Sequence, residues 1–294
     1  MSEKIHPLAI VHPKAKIGKD VEIEPFAVVK ENVTILDGAT IKSSAYIDGY
    51  TTIGEKTIIW PGAVIGTKTQ DRKYRNERTY VKIGNHCEIR EFATINSSTS
   101  AESTVSVGDH SLIMAYCHIA HNCTVGNHVT ISNNSLLAGH IIVEDYATLG
   151  GMTPVHQFVR IGCHAMVGGM SRVTHDVPPY TIGGGIPYCL GGINRIGLKR
   201  RQFPFEVRKA LFQAYRLIYR SRLLLHEALA AIENEVEMFA EVRHFVDFCK
   251  QTKRGLIGMR GIHQGISNKP DEYNTELSDV SPEDLLVGAA GKRS

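Results

Sequence analysis

The sequence predicts a mainly-β fold, a parallel β-helix of hexapeptide repeats, followed by a short helical domain. Three observations carry that reading. Aliphatic residues recur every six positions from Ile5, a small or β-branched residue follows each of the early ones four positions later, and the six-residue pattern ends at Val173 and gives way to helical periodicity. A spacing of six matches neither the turn of an α-helix nor the two-residue alternation of an amphipathic strand. It matches a prism of parallel strands in which each hexad supplies one short face and one corner.

The first block runs through Ile5, Val11, Ile17, Ile23, Val29, Ile35, Ile41, Ile47, Ile53, Ile59 and Ile65. Ala9, Ala15, Val21, Ala27, Val33, Ala39, Ala45 and Thr51 hold the small positions. The large residue fills the interior and the small one lets the chain turn. The pattern resumes at Ile83, Ile89 and Ile95, then holds from Val107 to Val173. Three hexads per coil give roughly nine coils, each stacking only on its neighbours. A β-sandwich with regular strands would not keep one phase over this length. Residues 1–190 are therefore assigned to the β-helix.

Two segments break the pattern: Asp71–Lys82, after Gln70, and Ala101–Ser106. Both lengths are multiples of six, so the phase survives, but Asp71 and Glu77 fall on positions meant for apolar residues. The first is expected to be a polar loop extruded from a coil and available to a ligand.

Beyond Val173 a Gly- and Pro-rich connection leads to "KRR", Lys199 to Arg201. Arginine matches phosphate oxygens in bidentate geometry, which makes this run a candidate phosphate clamp beside the plainer reading of a solvated basic face. Helical periodicity starts after Pro204 with Val207, Ala210, Leu211, Ala214, Leu217 and Ile218, and further helices are expected over 224–237 and 239–251. Arg208, Lys209, Arg216, Arg220 and Arg222 make the first helix strongly basic. Residues 191–254 are assigned to linker and helical domain, and residues 255–294 to a polar, flexible tail.

Composition narrows the function. The chain has 294 residues and a formal net charge of +3, with no concentrated basic region before Lys199. That argues against a dedicated nucleic-acid binder. The N-terminus lacks the apolar run of a signal peptide, and no segment approaches the ~20 apolar residues of a membrane span. The six cysteines do not form a disulfide framework in a chain this long, so a reducing cytoplasm is the expected setting.

The densest chemistry lies in "CHIAHNC", Cys117 to Cys123. The hexad register turns Cys117 and Cys123 inward, as it does Cys87, where buried cysteine behaves as a small hydrophobe. His118 and His121 fall at other positions and project outward, so one tetrahedral ion cannot draw on all four, and no metal is expected. One coil beyond His121 come Gly139 and His140, and one further come His156 and Gln157. Stacked roughly 4.8 Å apart, these rungs form histidines with glycine between them on one edge. Such a place suits close approach of a ligand to the backbone and a general base acting on a hydroxyl or amine.

These hexads, with "TQDRKY", "HIAHNCTVGN", "LAGH", "GGMTPVHQF", "VGGMSRV", "DVPPY" and "GLKRRQF" and the helices behind them, closely resemble the bacterial UDP-N-acetylglucosamine 3-O-acyltransferases of lipid A synthesis. The resemblance covers roughly residues 3–260. It implies a left-handed β-helix, a homotrimer with active sites between subunits, and UDP-N-acetylglucosamine and acyl carrier protein as partners. No cofactor is implied, because the phosphopantetheine thioester of the carrier is itself a substrate. Position by position, His121 matches the family's general base and the Gly139 N–H its oxyanion donor. Gln70 matches a residue beside the acyl chain, and Asp71 and Lys73 match residues that contact the nucleotide sugar. His118, Asn122, His140, His156 and Gln157 match pocket positions. Asn194, Arg200 and Arg201 match positions near the nucleotide and its phosphates. Gly169, in "VGGMS", matches the acyl-chain ruler, where glycine implies a long chain of around fourteen carbons, with or without a 3-hydroxyl. Arg208, Arg216 and Arg220 form the expected carrier-protein patch.

Three positions depart from relatives: Asn122 stands where aspartate is common, Asn96 replaces a histidine and Ile196 a glutamate. An amide at 122 can fix an imidazole tautomer but cannot stabilise imidazolium by charge. The second reading is an N-acyltransferase on a 3-amino analogue of the sugar, with the same fold and base. A structural or ice-binding solenoid would show flat Thr-rich faces without stacked histidines, and a γ-type carbonic anhydrase would use three histidines on zinc.

Overall fold

The structure, a computed structural model, describes residues 4–259. The strands are mostly two residues long and sort into three parallel sheets that wrap a triangular prism. The first face starts at Lys4–Ile5, the second at Ile10–Val11 and the third at Lys16–Ile17. Equivalent residues stack one coil apart: Ile5 on Ile23, Ile23 on Ile41, Val11 on Val29, Ile17 on Ile35.

Burial follows the hexad. Ile41, Ile47, Ile53, Ile59 and Ile65 are each 0% exposed, and so are the corner residues Ala39, Ala45 and Ala63. Each buried isoleucine is worth roughly 1.5–3 kcal/mol relative to exposure. The second residue of most corners turns through the left-handed region, as Asn122 (φ 57°), His140 (61°) and Phe158 (65°) do. The lowest coil is less enclosed, with Ile5, Val11 and Ile17 only partly buried and Ile10 66% exposed.

The two interruptions are longer coils. Ile65 stacks on Ile95 and Ile83 on Val107, so the extra residues leave the ladder without shifting its phase. They leave it earlier than the sequence suggested. The loops occupy 68–79 and 97–103, while Tyr80–Ile83 and Thr104–Val107 are four-residue strands. An insertion of a multiple of six fits the register at more than one place, and alternation of Val81 and Ile83 inward decides it.

Above the last coil, Thr181–Gly184 and Cys189–Ile193 form an antiparallel hairpin on the first sheet. Among the described residues four helices follow: α1 (Arg195–Arg200), α2 (Phe205–Tyr219), α3 (Leu225–Glu235) and α4 (Ala240–Lys250). Neither the hairpin nor α1 is legible in the Gly- and Pro-rich connection. Helix α2 stops at Tyr219, so Arg220 caps it and Arg222 lies beyond it. Leu211, Ala214, Ile232, Val242 and Phe245 are 0% exposed and form the helical core.

The helices are tied to the prism at Glu144. Its Oε2 accepts from the backbone N–H of Cys163 (2.9 Å) and meets His244 Nε2 of α4 at 2.8 Å, while Arg160 stands 3.8 Å from Oε1. The Cys163 sulfur and the Glu144 carboxylate raise His244 to about 10. Residues 255–259, assigned on sequence to the tail, are also attached: Ile257 N–H donates to Asp176 O at 2.9 Å, and Leu256 is 4% exposed. The remainder of that tail lies outside the described residues. Among the described residues no helix is long and apolar enough to cross a membrane.

Candidate active site

The edge between the second and third faces carries both interruptions of the hexad pattern. Gly49 turns it with φ 62°, both loops leave from it, and His121, Gly139 and Gln157 succeed one another on it as the first residues of three stacked corners. His140 N–H donates to His121 O (3.0 Å) and Phe158 N–H to Gly139 O (3.2 Å). Those bonds start from the second corner residue, which leaves the Gly139 N–H outside the ladder.

His121 is 7% exposed and its ring lies over Gly139. A Cβ built on Gly139 would stand 2.5 Å from His121 Nε2 and closer still to Cε1. Position 139 must therefore be glycine if the imidazole is to lie there. On its other nitrogen, His121 Nδ1 is 2.9 Å from Asn122 Oδ1. An amide oxygen can only accept, so Nδ1 carries a proton, and Nε2 is the nitrogen whose lone pair the neutral ring would offer as a general base. Asp71 Oδ2 approaches that Nε2 at 3.6 Å from the extruded loop.

The surroundings are cationic and half dry. Lys73 N–H, which donates to Asp71 Oδ1 at 2.8 Å, and the neighbouring His121 and Lys73 charges hold Asp71 below the ordinary carboxylate range. Burial, followed by His121, lowers both His118 and His140. His118 sits on the second face with Nδ1 2.7 Å from Thr94 Oγ1, and the His140 ring meets His121 edge-on at 5.1 Å. His156 and Gln157 are exposed one coil further on, and Gln70 is exposed beside Asp71.

The cysteines behave as the register predicts. Cys117 is 1% and Cys123 0% exposed, their sulfurs 3.1 Å from Ser132 O and 3.0 Å from Ala138 O. Burial pushes Cys117 up to about 11 and Cys123 to about 12. Protonated thiols pointing inward share no ion with histidines pointing outward.

Other sequence-selected residues lie elsewhere. Asn194 caps α1, accepting from Gly197 N–H (3.1 Å) and donating to His164 O (2.9 Å), and Arg201 stacks on Tyr146 at 4.2 Å. His164 and Tyr146 belong to the third–first edge, so within one chain these two residues are not brought to His121. Arg200, the last residue of α1, is exposed. Gly169 turns the first–second edge, and a Cβ there would meet Gly151 O at 3.3 Å. Arg208 donates from Nε to Phe203 O (3.1 Å), while Arg216 and Arg220 line a cavity of about 280 Å³ with Gln213 and Glu235. The residues behind Asn122, namely Thr99 and Ser103, were not selected, although the Ser/Thr-rich break in the hexads pointed to that segment.

Residues 176–257 match the model of the family "UDP N-acetylglucosamine O-acyltransferase; domain 2", and residues 104–139 match that of the bacterial transferase hexapeptide. An acyl-[acyl-carrier-protein]–UDP-N-acetylglucosamine O-acyltransferase of Chlamydia caviae is 57% identical over 283 residues, 96% of this chain and 98% of its own. The Chlamydia abortus enzyme of that name is 56% identical over 265 residues, 90% of this chain and 93% of its own. Among solved structures, the UDP-N-acetylglucosamine acyltransferase of Bacteroides fragilis has a TM-score of 0.84 at 42% identity, covering 86% of this chain and 99% of that one. The Acinetobacter baumannii structure gives 0.84 at 35%, covering 87% and 100%. The fold is thus the left-handed parallel β-helix with a C-terminal helical domain. At this similarity, over nearly the whole of each chain, the protein belongs to the acyl-[acyl-carrier-protein]–UDP-N-acetylglucosamine O-acyltransferase family.

Proposed function

We infer that this chain transfers a fatty acyl group from acyl carrier protein to the 3-hydroxyl of UDP-N-acetylglucosamine, the first step of lipid A biosynthesis, in the cytoplasm. The activity named for its relatives supports the reaction. One observation carries the mechanism: His121, its Nδ1 held against Asn122 Oδ1, lies with its ring over Gly139 and Nε2 at the inner rim of that contact. Nε2 takes the proton of the sugar 3-hydroxyl as that oxygen attacks the thioester carbonyl. The Gly139 N–H donates to the oxyanion that forms, a contribution typically worth ~3–4 kcal/mol. Collapse expels the carrier thiolate, which recovers the proton from the imidazolium. The reaction asks for no metal and no cofactor. An amine acceptor would use the same base, and a 3-amino analogue of the sugar offered in competition decides between them.

The arrangement on three edges favours a homotrimer. Asp71, Lys73, His121 and His140 share one edge, whereas Asn194, Arg201 and Gly169 occupy the other two, so a site that uses all of them draws on more than one copy. In this reading Arg200 and Arg201 of a neighbour meet the nucleotide phosphates, Gln70, His118, His156 and Gln157 line the pocket, and Gly169 bounds the acyl groove. The basic residues along α2, Arg208 in its first turn and Arg216 and Arg220 at its far end, receive the acidic carrier. The test is a thioester-release assay with carriers of several chain lengths. His121→Ala should lower turnover at least ~100-fold with the fold intact, and near-normal turnover would remove His121 from the mechanism.

A further inference from the structure

A base histidine oriented by an amide faces a difficulty that one oriented by a carboxylate does not. The two carboxylate oxygens are equivalent, but an asparagine turned by half a rotation presents its NH₂ instead. Nδ1 would then have to accept, its proton would move to Nε2, and the nitrogen facing the substrate would be blocked.

We propose that Thr99 and Ser103 are positioning residues that lock the Asn122 amide in the one orientation leaving His121 Nε2 free. The inference rests on the reading of His121 as base. Thr99 Oγ1 donates to Asn122 Oδ1 at 2.7 Å, on the same oxygen that His121 Nδ1 reaches at 2.9 Å. Asn122 Nδ2 points to Ser103 Oγ at 3.4 Å. The direction of the chain is set one step further back. Ser103 Oγ donates to the backbone carbonyl of Ser100. A carbonyl never donates, so the single Ser103 proton is committed there. Ser103 Oγ also lies within donating distance of Ser98 Oγ (2.8 Å), in a residue 0% exposed, but that hydroxyl can turn its own proton to Ser103 whereas the Ser100 carbonyl cannot. The Ser103 oxygen therefore offers Asn122 a lone pair and accepts only the amide NH₂. With the amide reversed, its oxygen would face that lone pair. All these groups come from the loop 97–103, so the break in the hexads supplies the device that an Asn at 122 needs.

The experiment compares Thr99→Val/Ser103→Ala in two backgrounds, wild type and Asn122→Asp, by steady-state thioester release. With Asn122 present, kcat should fall about fivefold or more, the factor that one net hydrogen bond controls, with both KM values within about twofold. In the Asn122→Asp background the same pair should change kcat less than about twofold, because a carboxylate has no wrong orientation. Thr99→Ser should remain near wild type. Equal losses in both backgrounds, or no loss with Asn122 present, overturn the proposal. If the double variant does not fold, Ser103→Ala alone is measured in the same two backgrounds and read the same way. His121→Ala is run alongside. A large loss there with background-independent losses from the pair leaves the base standing and removes the positioning role, whereas an active His121→Ala enzyme removes the base itself.

Discussion

Two glycines on different edges show opposite demands. Gly139 is required by volume, since His121 occupies the space of any side chain. Gly169 is different, because the left-handed residue of its corner is Met170 (φ 53°). A side chain at 169 meets Gly151 O at 3.3 Å, a tight but not prohibitive contact. Nothing in the local backbone therefore demands glycine at 169, which favours its role as an open groove position. Gly169→Met should shift donor preference to an acyl chain about four carbons shorter. At ~0.8 kcal/mol per buried methylene, three or four blocked groups correspond to roughly two orders of magnitude in selectivity. Equal losses on every chain length would make the glycine structural. At this scale the sequence was informative about placement where register alone decides, as with the inward Cys117 and the stacking of His121 on Gly139. It was uninformative where a side chain's partner comes from a loop or the helical domain. That the Asn194 side chain caps α1 could not be read from its spacing, and the hydroxyls behind Asn122 gave no spacing to read.

Helix positions were read to within a few residues because α2 to α4 each bury one stripe. The antiparallel hairpin and α1 escaped because glycine and proline report turns, not what lies between them. Two predictions belong to the helices. The first concerns Arg216 and Arg220, which line a cavity at the end of α2 with one acid, Glu235. Reversing both charges should raise the KM for acyl carrier protein several-fold and weaken its salt dependence, leaving that for the sugar nearly unchanged. Equal effects on both substrates would exclude a carrier-docking role. The second concerns α4, where Cys163 and Glu144 raise His244 to about 10, above the ~6.5 of a free imidazole. Folding then favours the charged ring. The stabilisation is full below about pH 6.5, provided Glu144 is ionised, and is lost as pH rises towards 10. The gap in Tm between wild type and His244→Gln should be widest near pH 6 and close by about pH 10. A gap constant across that range would assign the effect to packing.

For the whole molecule, the hexads made the prism and its phase legible from residue 5 to Val173, because three faces repeat one pattern. That the candidate residues fall on three different edges was not legible, since the periodicity says nothing about copies. It leads to a complementation test: His121→Ala and Arg201→Ala chains, each inactive alone, should recover up to about a quarter of wild-type activity when coassembled at random, if each site takes His121 from one chain and Arg201 from the next. No recovery would place both residues in one protomer's site.

The ends of the prism are also unequal. Helices and a hairpin close the upper end, while the lowest coil leaves Ile10 66% exposed and, among the described residues, has no rung beneath its strands. In a stack held only by nearest neighbours, loss of order starts where a unit has one neighbour. The molecule should therefore unzip from its N-terminal coil upward. Hydrogen exchange would show this as a gradient, with amides near Lys16 and Thr34 labelling well before those near Thr130 and Thr148. The chemistry sits several rungs above the fraying end, so early exchange there should leave turnover untouched.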